Sequence, residues 1–233
     1  MPARSRVTLV VLLLAAAAVF VRLGVWQVHR LRERRAANAR ALVARALPEI
    51  DLTARPAATP LAERRVRASG TFDRAHEIVL RGQVMGTPGV ELVTPLALGG
   101  PGDTAVLVDR GFVPAPDAAT LPDMPLDEPG TVTVHGIALP LTSAGDSGQP
   151  ITAQGHTTWR RLDLAALRAR LPFPIHDVVV RAAPDSAAPR FPRRREPPEL
   201  DDGPHLSYAI QWFAFATMAV VFAIVLGRRR EGD

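Results

Sequence analysis

Residues 206–226 read LSYAIQWFAFATMAVVFAIVL, 21 residues without a charge, closed by Gly227 and the arginines at 228–230. A bilayer's hydrocarbon core is about 30 Å thick, and at about 1.5 Å of rise per residue a helix needs about 20 apolar residues to cross it. This stretch meets that requirement without help from its flanks, and the arginines stop it in the headgroup layer. The chain is therefore expected to be a membrane protein, with this segment, residues 205–227, as a transmembrane helix and residues 228–233 as a tail.

A second apolar run lies near the other end. Residues 7–21 are apolar and are followed by Arg22. Behind Arg4 and Arg6, so short a run also fits a signal peptide that is removed. However, Leu23, Gly24, Val25 and Trp26 resume the apolar pattern, and an arginine near the edge of the core snorkels to the headgroups, well below the roughly 3 kcal/mol expected at the centre. Residues 7–28 are read as a retained first transmembrane helix.

Two spans put both termini on one side. Arg4, Arg6 and the arginines at 228–230 favour the cytoplasm for them. Arg30, Arg32, Arg34 and Arg35 argue the other way, but long loops translocate largely regardless of charge. The expectation is a plasma-membrane protein, both termini cytoplasmic and the central domain extracytoplasmic.

About 175 residues separate the spans, enough for one domain. Residues 29–47 lack Gly and Pro and predict a helical extension of the first span, its arginines a solvated face against lipid headgroups or an anionic partner. Residues 48–65, with Pro56 and Pro60, read as a linker. Within 66–183 come short β-like runs at 66–72, 77–81, 90–98, 104–113, 131–139 and 176–182. The alternation at Thr131, Val132, Thr133 and Val134 fits a half-buried strand. The continuous runs Val106, Leu107, Val108 and Val178, Val179, Val180 fit strands buried on both faces. One helix is expected at 162–171, before Pro172. Residues 142–150 and 184–198 read as mobile, and 184–204 as a Pro-rich tether. The fold class is thus two transmembrane α-helices, N- and C-terminal, flanking a mainly β (α+β) extracytoplasmic domain, a small barrel or curved sheet.

The net charge of +5 comes from arginine alone, and the richness in Ala, Arg and Pro has the look of a coding bias, so no nucleic-acid partner is inferred. The absence of cysteine excludes disulfides, thiolate metal sites and thioredoxin-like chemistry for this chain acting alone. Gly145, Asp146, Ser147, Gly148, Gln149 and Pro150 resemble a serine-protease nucleophile segment. Such a serine needs an oriented histidine base and rigid oxyanion donors. His29, His76 and His135 do not stand in the context that would accompany it, and flexible-loop composition explains the hexapeptide. The six histidines show no zinc spacing. Asp109, Arg110 and Gly111 read as an ion pair at a strand end. No complete catalytic constellation emerges, and an enzyme is not expected.

The informative residues cluster at the membrane edge. The first span ends in Leu23, Gly24, Val25, Trp26, Gln27 and Arg30; the second begins with His205, Tyr208, Gln211 and Trp212. His205, Tyr208, Trp212 and Phe215 fall within roughly an 80° arc at about 100° per residue, and Leu23, Gln27 and Arg30 share a similar arc. Meeting faces would make a polar and aromatic site. Tyr and Trp also form ordinary interfacial belts, whereas an amide inside a membrane usually faces a partner helix.

These residues carry a resemblance. Leu23 to Gln27 with Arg30, then Gly70-Thr71-Phe72, Val93-Thr94-Pro95, Val108-Asp109-Arg110-Gly111-Phe112-Val113-Pro114 and His205-Leu206-Ser207-Tyr208-Ala209-Ile210-Gln211-Trp212-Phe213 occur in the order found in the surfeit-locus-one family of cytochrome c oxidase assembly factors. The chain resembles that family over nearly its whole length. It departs at Gly203, where Asn is frequent, at Phe112, where Trp is frequent, and at Arg34, where Lys is common, which puts any role of those positions in doubt. The resemblance implies a bacterial accessory protein, or chaperone, that matures oxidase subunit I by handling haem a, with the haem a synthesis machinery and membrane lipid as further partners. It implies His205 as the haem-iron ligand. Neutral imidazole is a usual axial ligand, Tyr208 and Trp212 could stack on a porphyrin, Gln27 completes the polar face, and Arg30 could pair a propionate. A membrane-anchored scaffold that grips oxidase subunits without touching haem is the other reading.

Overall fold

The computed structural model describes residues 3–54, 60–99, 104–143, 150–153, 156–185 and 188–228. They fall into two compact units, one comprising Met1–Arg40 with Leu200–Asp233 and the other Ala41–Glu199.

The first unit is a pair of helices. Helix α1 spans Ala3–Ala46, its last residues belonging to the second unit, and α3 spans His205–Arg228. Both are long and apolar enough to cross a membrane. The helices run antiparallel, with Gln27 beside His205 and Phe20 beside Phe215. Their contact face is built from small side chains: Ala17 and Gly24 on α1, and Ala209, Ala216, Ala219 and Ala223 on α3, are all buried. In lipid there is no hydrophobic drive between helices, so close approach of small residues supplies the packing. A Cβ on Gly24 would stand 2.7 Å from the Phe213 ring. Larger apolar side chains such as Leu12, Val19, Ile210 and Phe222 point outward, as lipid-facing positions require.

The second unit is the mainly β domain. Its strands are β1 (Ile50–Asp51), β2 (Arg65–Phe72), β3 (Ile78–Met85), β4 (Thr87–Ala97), β5 (Ala105–Pro114), β6 (Thr131–Pro140), β7 (Ile151–Ala153), β8 (His156–Trp159) and β9 (Ile175–Ala182), with α2 at Leu164–Arg170. The sheet order is β1-β2-β6-β9-β5-β4-β3-β8-β7, and a further pairing of β2 with β4 closes a five-stranded circuit. Strand β4 makes this possible. Its first part pairs with β3, while Leu96 and Ala97 pair with Phe72 and Thr71 of β2.

The continuous apolar runs are buried on both faces. Val106 and Val108 of β5, with Val178 and Val180 of β9, enter the core enclosed by the circuit. Leu107 and Val179 point the other way, into a second core beneath α2 that also holds Trp159 and Leu167. Asp163 caps α2, accepting from the Ala166 N–H at 2.8 Å, which satisfies one of the orphan donors at the helix start.

Three expectations need correction. Residues 48–65 are more than a linker: Ile50 and Asp51 pair in parallel with Val66 and Arg67, and Leu52 and Leu61 are buried. Strands β7 and β8 were hidden by their shortness. The residues read as a mobile tether are in part fixed to the sheet, because Arg193 exchanges both backbone bonds with Phe112, at 2.9 and 2.7 Å. Gly111 permits this. Its φ is 121°, and a Cβ there would collide with the Arg193 backbone.

Candidate functional site

The entry to α3 is held by α1. Arg34 reaches Asp201, donating from Nε to the backbone oxygen at 3.1 Å and from Nη2 to Oδ1 at 3.3 Å; Asn38 Nδ2 donates to the same backbone oxygen at 2.6 Å. Arg35 donates to Asp202 Oδ2 through Nε and Nη2 at 2.9 and 2.8 Å. That bond lowers the Asp202 carboxyl below the usual range. These pairs are exposed, and each is worth little alone. Together they fix where the helix begins. Pro204 precedes α3, its oxygen accepting from the Tyr208 N–H at 3.1 Å and the Ser207 hydroxyl at 2.8 Å.

His205 thereby lies against Gln27. The two side chains meet at 2.9 Å between Nδ1 and Oε1, with Gln27 buried and His205 half-buried. Of the two amides expected to face a partner helix, only this one does; Gln211 is exposed. Deeper in the pair, Trp212 stacks on Phe20 with centroids 5.7 Å apart, and Phe215 packs against both rings. Tyr208 is exposed. Arg30 is exposed too and is paired with Glu33 one turn on, at 2.7 Å. Of the predicted site residues, His205 and Gln27 are thus brought into contact, Trp212 is engaged with the Phe20 and Phe215 rings, and Tyr208 and Arg30 are exposed and take no part in that contact.

The sequence reading missed the partners of Arg34 and Arg35. The signal was present as two acidic residues shortly before His205. It was hidden by the distance along the chain.

A second polar cluster lies inside the β unit. Arg110 is almost fully buried and donates to Glu77 at 3.2 Å, to Glu128 at 3.1 Å and to the Leu126 oxygen, over the Phe72 ring at 4.8 Å. Arg194 joins Glu128 at 3.3 Å. Asp109 takes a bond of 2.9 Å from Arg181, and Arg195 pairs with Glu91. Burial pushes the Asp109 carboxyl up, opposed by Arg181. Asp109 and Arg110 are therefore not an ion pair at a strand end: they lie within β5 and take separate partners. Elsewhere His76, Thr157, Trp159 and Arg170 line a cavity of about 300 Å³. The protease-like segment, with Ser147, lies outside the described residues.

The sequence model of the SURF1 family, the surfeit-locus-one family, matches residues 14–217. A SURF1-like protein of Monosiga brevicollis is 27% identical over 246 residues, covering 95% of this chain and 88% of the relative. An uncharacterized SURF1-like protein of Mycobacterium tuberculosis is 27% identical over 176 residues, or 72% of this chain. That match spans 63% of the mycobacterial protein's length.

Proposed function

The chain belongs to the SURF1 family, and on that premise we propose that it is an assembly factor for a haem-copper cytochrome c oxidase. Its cargo is haem a, held at the head of the α1–α3 pair and passed to oxidase subunit I. The observation that carries this reading is the imidazole of His205, braced through Nδ1 by Gln27, with Nε2 free of any hydrogen-bond partner among the described residues.

The residues present fit such a cargo. Imidazole is a usual protein ligand to haem iron, so His205 would be the residue that holds it. Exposed Tyr208 offers a ring to the macrocycle. The Arg30–Glu33 pair is a surface pair worth about 0–1 kcal/mol, so Arg30 can turn to a propionate at little cost. The buried amide of Gln27 keeps the imidazole from rotating away. The setting is a bacterial plasma membrane with both termini in the cytoplasm, and the haem a synthesis machinery is the source of the cargo.

Purification from cells that make haem a, followed by a visible spectrum, tests the reading. A Soret band is expected, and His205→Ala should lower haem occupancy. Protein without a Soret band would defeat it. A scaffold that never touches haem predicts no Soret band and equal co-purification of oxidase subunits with wild type and His205→Ala.

A further inference from the structure

The contact between His205 and Gln27 constrains more than position. Nδ1 lies 2.9 Å from Gln27 Oε1; a carbonyl oxygen can only accept, so with the amide turned this way a neutral imidazole carries its proton on Nδ1 and its lone pair on Nε2. We propose that Gln27 is a positioning residue that holds His205 in the Nδ1–H tautomer, making Nε2 the nitrogen presented to an iron porphyrin. The identity of that ligand rests on the reading above; the tautomer belongs to the protein without ligand.

Three features converge on this assignment. Gln27 is 8% exposed, so its amide has little recourse to water, and an unmet amide in an apolar surrounding is costly. Among the described residues Nε2 has no hydrogen-bond partner that would compete for its lone pair. The neighbour beside that edge is Gly203, which places no side chain over the nitrogen; a Cβ there would make only ordinary contact, 3.8 Å from Nε2 and 3.6 Å from Cδ2. The bond also joins residues on two helices, so the imidazole is oriented only when α1 and α3 are paired. A partner on the second ring nitrogen fixes tautomer and ring orientation and raises ligand basicity, and its loss typically lowers affinity about 10–100-fold.

The test uses the full chain in detergent micelles. Nitrogen-15 NMR of the imidazoles, with His205 assigned by comparison with His205→Ala, should show a protonated Nδ1 and a pyridine-like Nε2. Gln27→Leu should lose that preference while helix content by circular dichroism is unchanged, and Gln27→Glu, which keeps an acceptor, should retain it. Titration with haemin should show a Kd raised about tenfold or more by Gln27→Leu and nearly unchanged by Gln27→Glu. A pyridine-like Nδ1 in the wild type, which would mean the amide donates instead, overturns the assignment. So does equal haemin affinity in wild type and Gln27→Leu. An Nδ1–H wild type that takes up no haemin upholds the positioning by Gln27 and overturns the haem reading alone.

Discussion

Arg110 shows how much a single side chain can hold in the β unit. Its side chain is 2% exposed and serves Glu77, Glu128 and the Leu126 oxygen at once. Removing one partner of a buried ion pair leaves uncompensated charge and costs about 3–5 kcal/mol. Arg110→Met should therefore destabilise the β unit by about that amount in urea unfolding followed by circular dichroism. A change below about 1 kcal/mol would mean that water reaches the cluster and screens it. His205 is the opposite case, because in the proposed reading its value lies in the nitrogen left without a hydrogen-bond partner among the described residues. Its neighbours in sequence identified it as a candidate. The bond that orients it spans 178 positions along the chain, and no local pattern encodes such a pairing.

At the scale of elements, the helices were legible because membrane crossing demands a long apolar run, which α3 carries without a charge and α1 carries across Arg22, and the sheet because β5 and β9 carry short runs buried on both sides. What local pattern did not reveal was how surfaces meet. The small residues of α3 look unremarkable in sequence until the structure places Ala209, Ala216, Ala219 and Ala223 on one buried stripe. On the opposing face Gly24 lies close against the Phe213 ring. Gly24→Leu should separate the helices and lower the thermal unfolding temperature of the full chain in detergent. Adding Phe213→Ala should restore part of the loss, since the Phe213 ring is the group a Cβ would meet. No recovery in the double variant would place the clash elsewhere. The segment around Arg193 teaches a related lesson: its prolines and arginines have the composition of a tether, but Gly111 opens β5 to it and its backbone completes hydrogen bonds there.

For the whole molecule, the sequence itself carries the division of labour. Two apolar helices lie at the ends, with a mainly β unit between them, and the family match covers residues 14–217. The proposed orientation follows from the charges of the short tails. A reporter fused after Asp233 should give a cytoplasmic signal, and a signal from the opposite side would reverse the proposed topology. Length and hydropathy were enough to mark the two candidate spans, because a helix satisfies its backbone bonds internally and needs only an apolar run long enough to cross lipid. Strand positions followed from side-chain periodicity, a local property. The closure of β2 onto β4, the burial of Asp109 and Arg110 within β5 and the contact of Gln27 with His205 were decided only by the tertiary structure. Each depends on which distant groups come together, and a buried polar group finds its partner through packing that no single stretch of sequence contains.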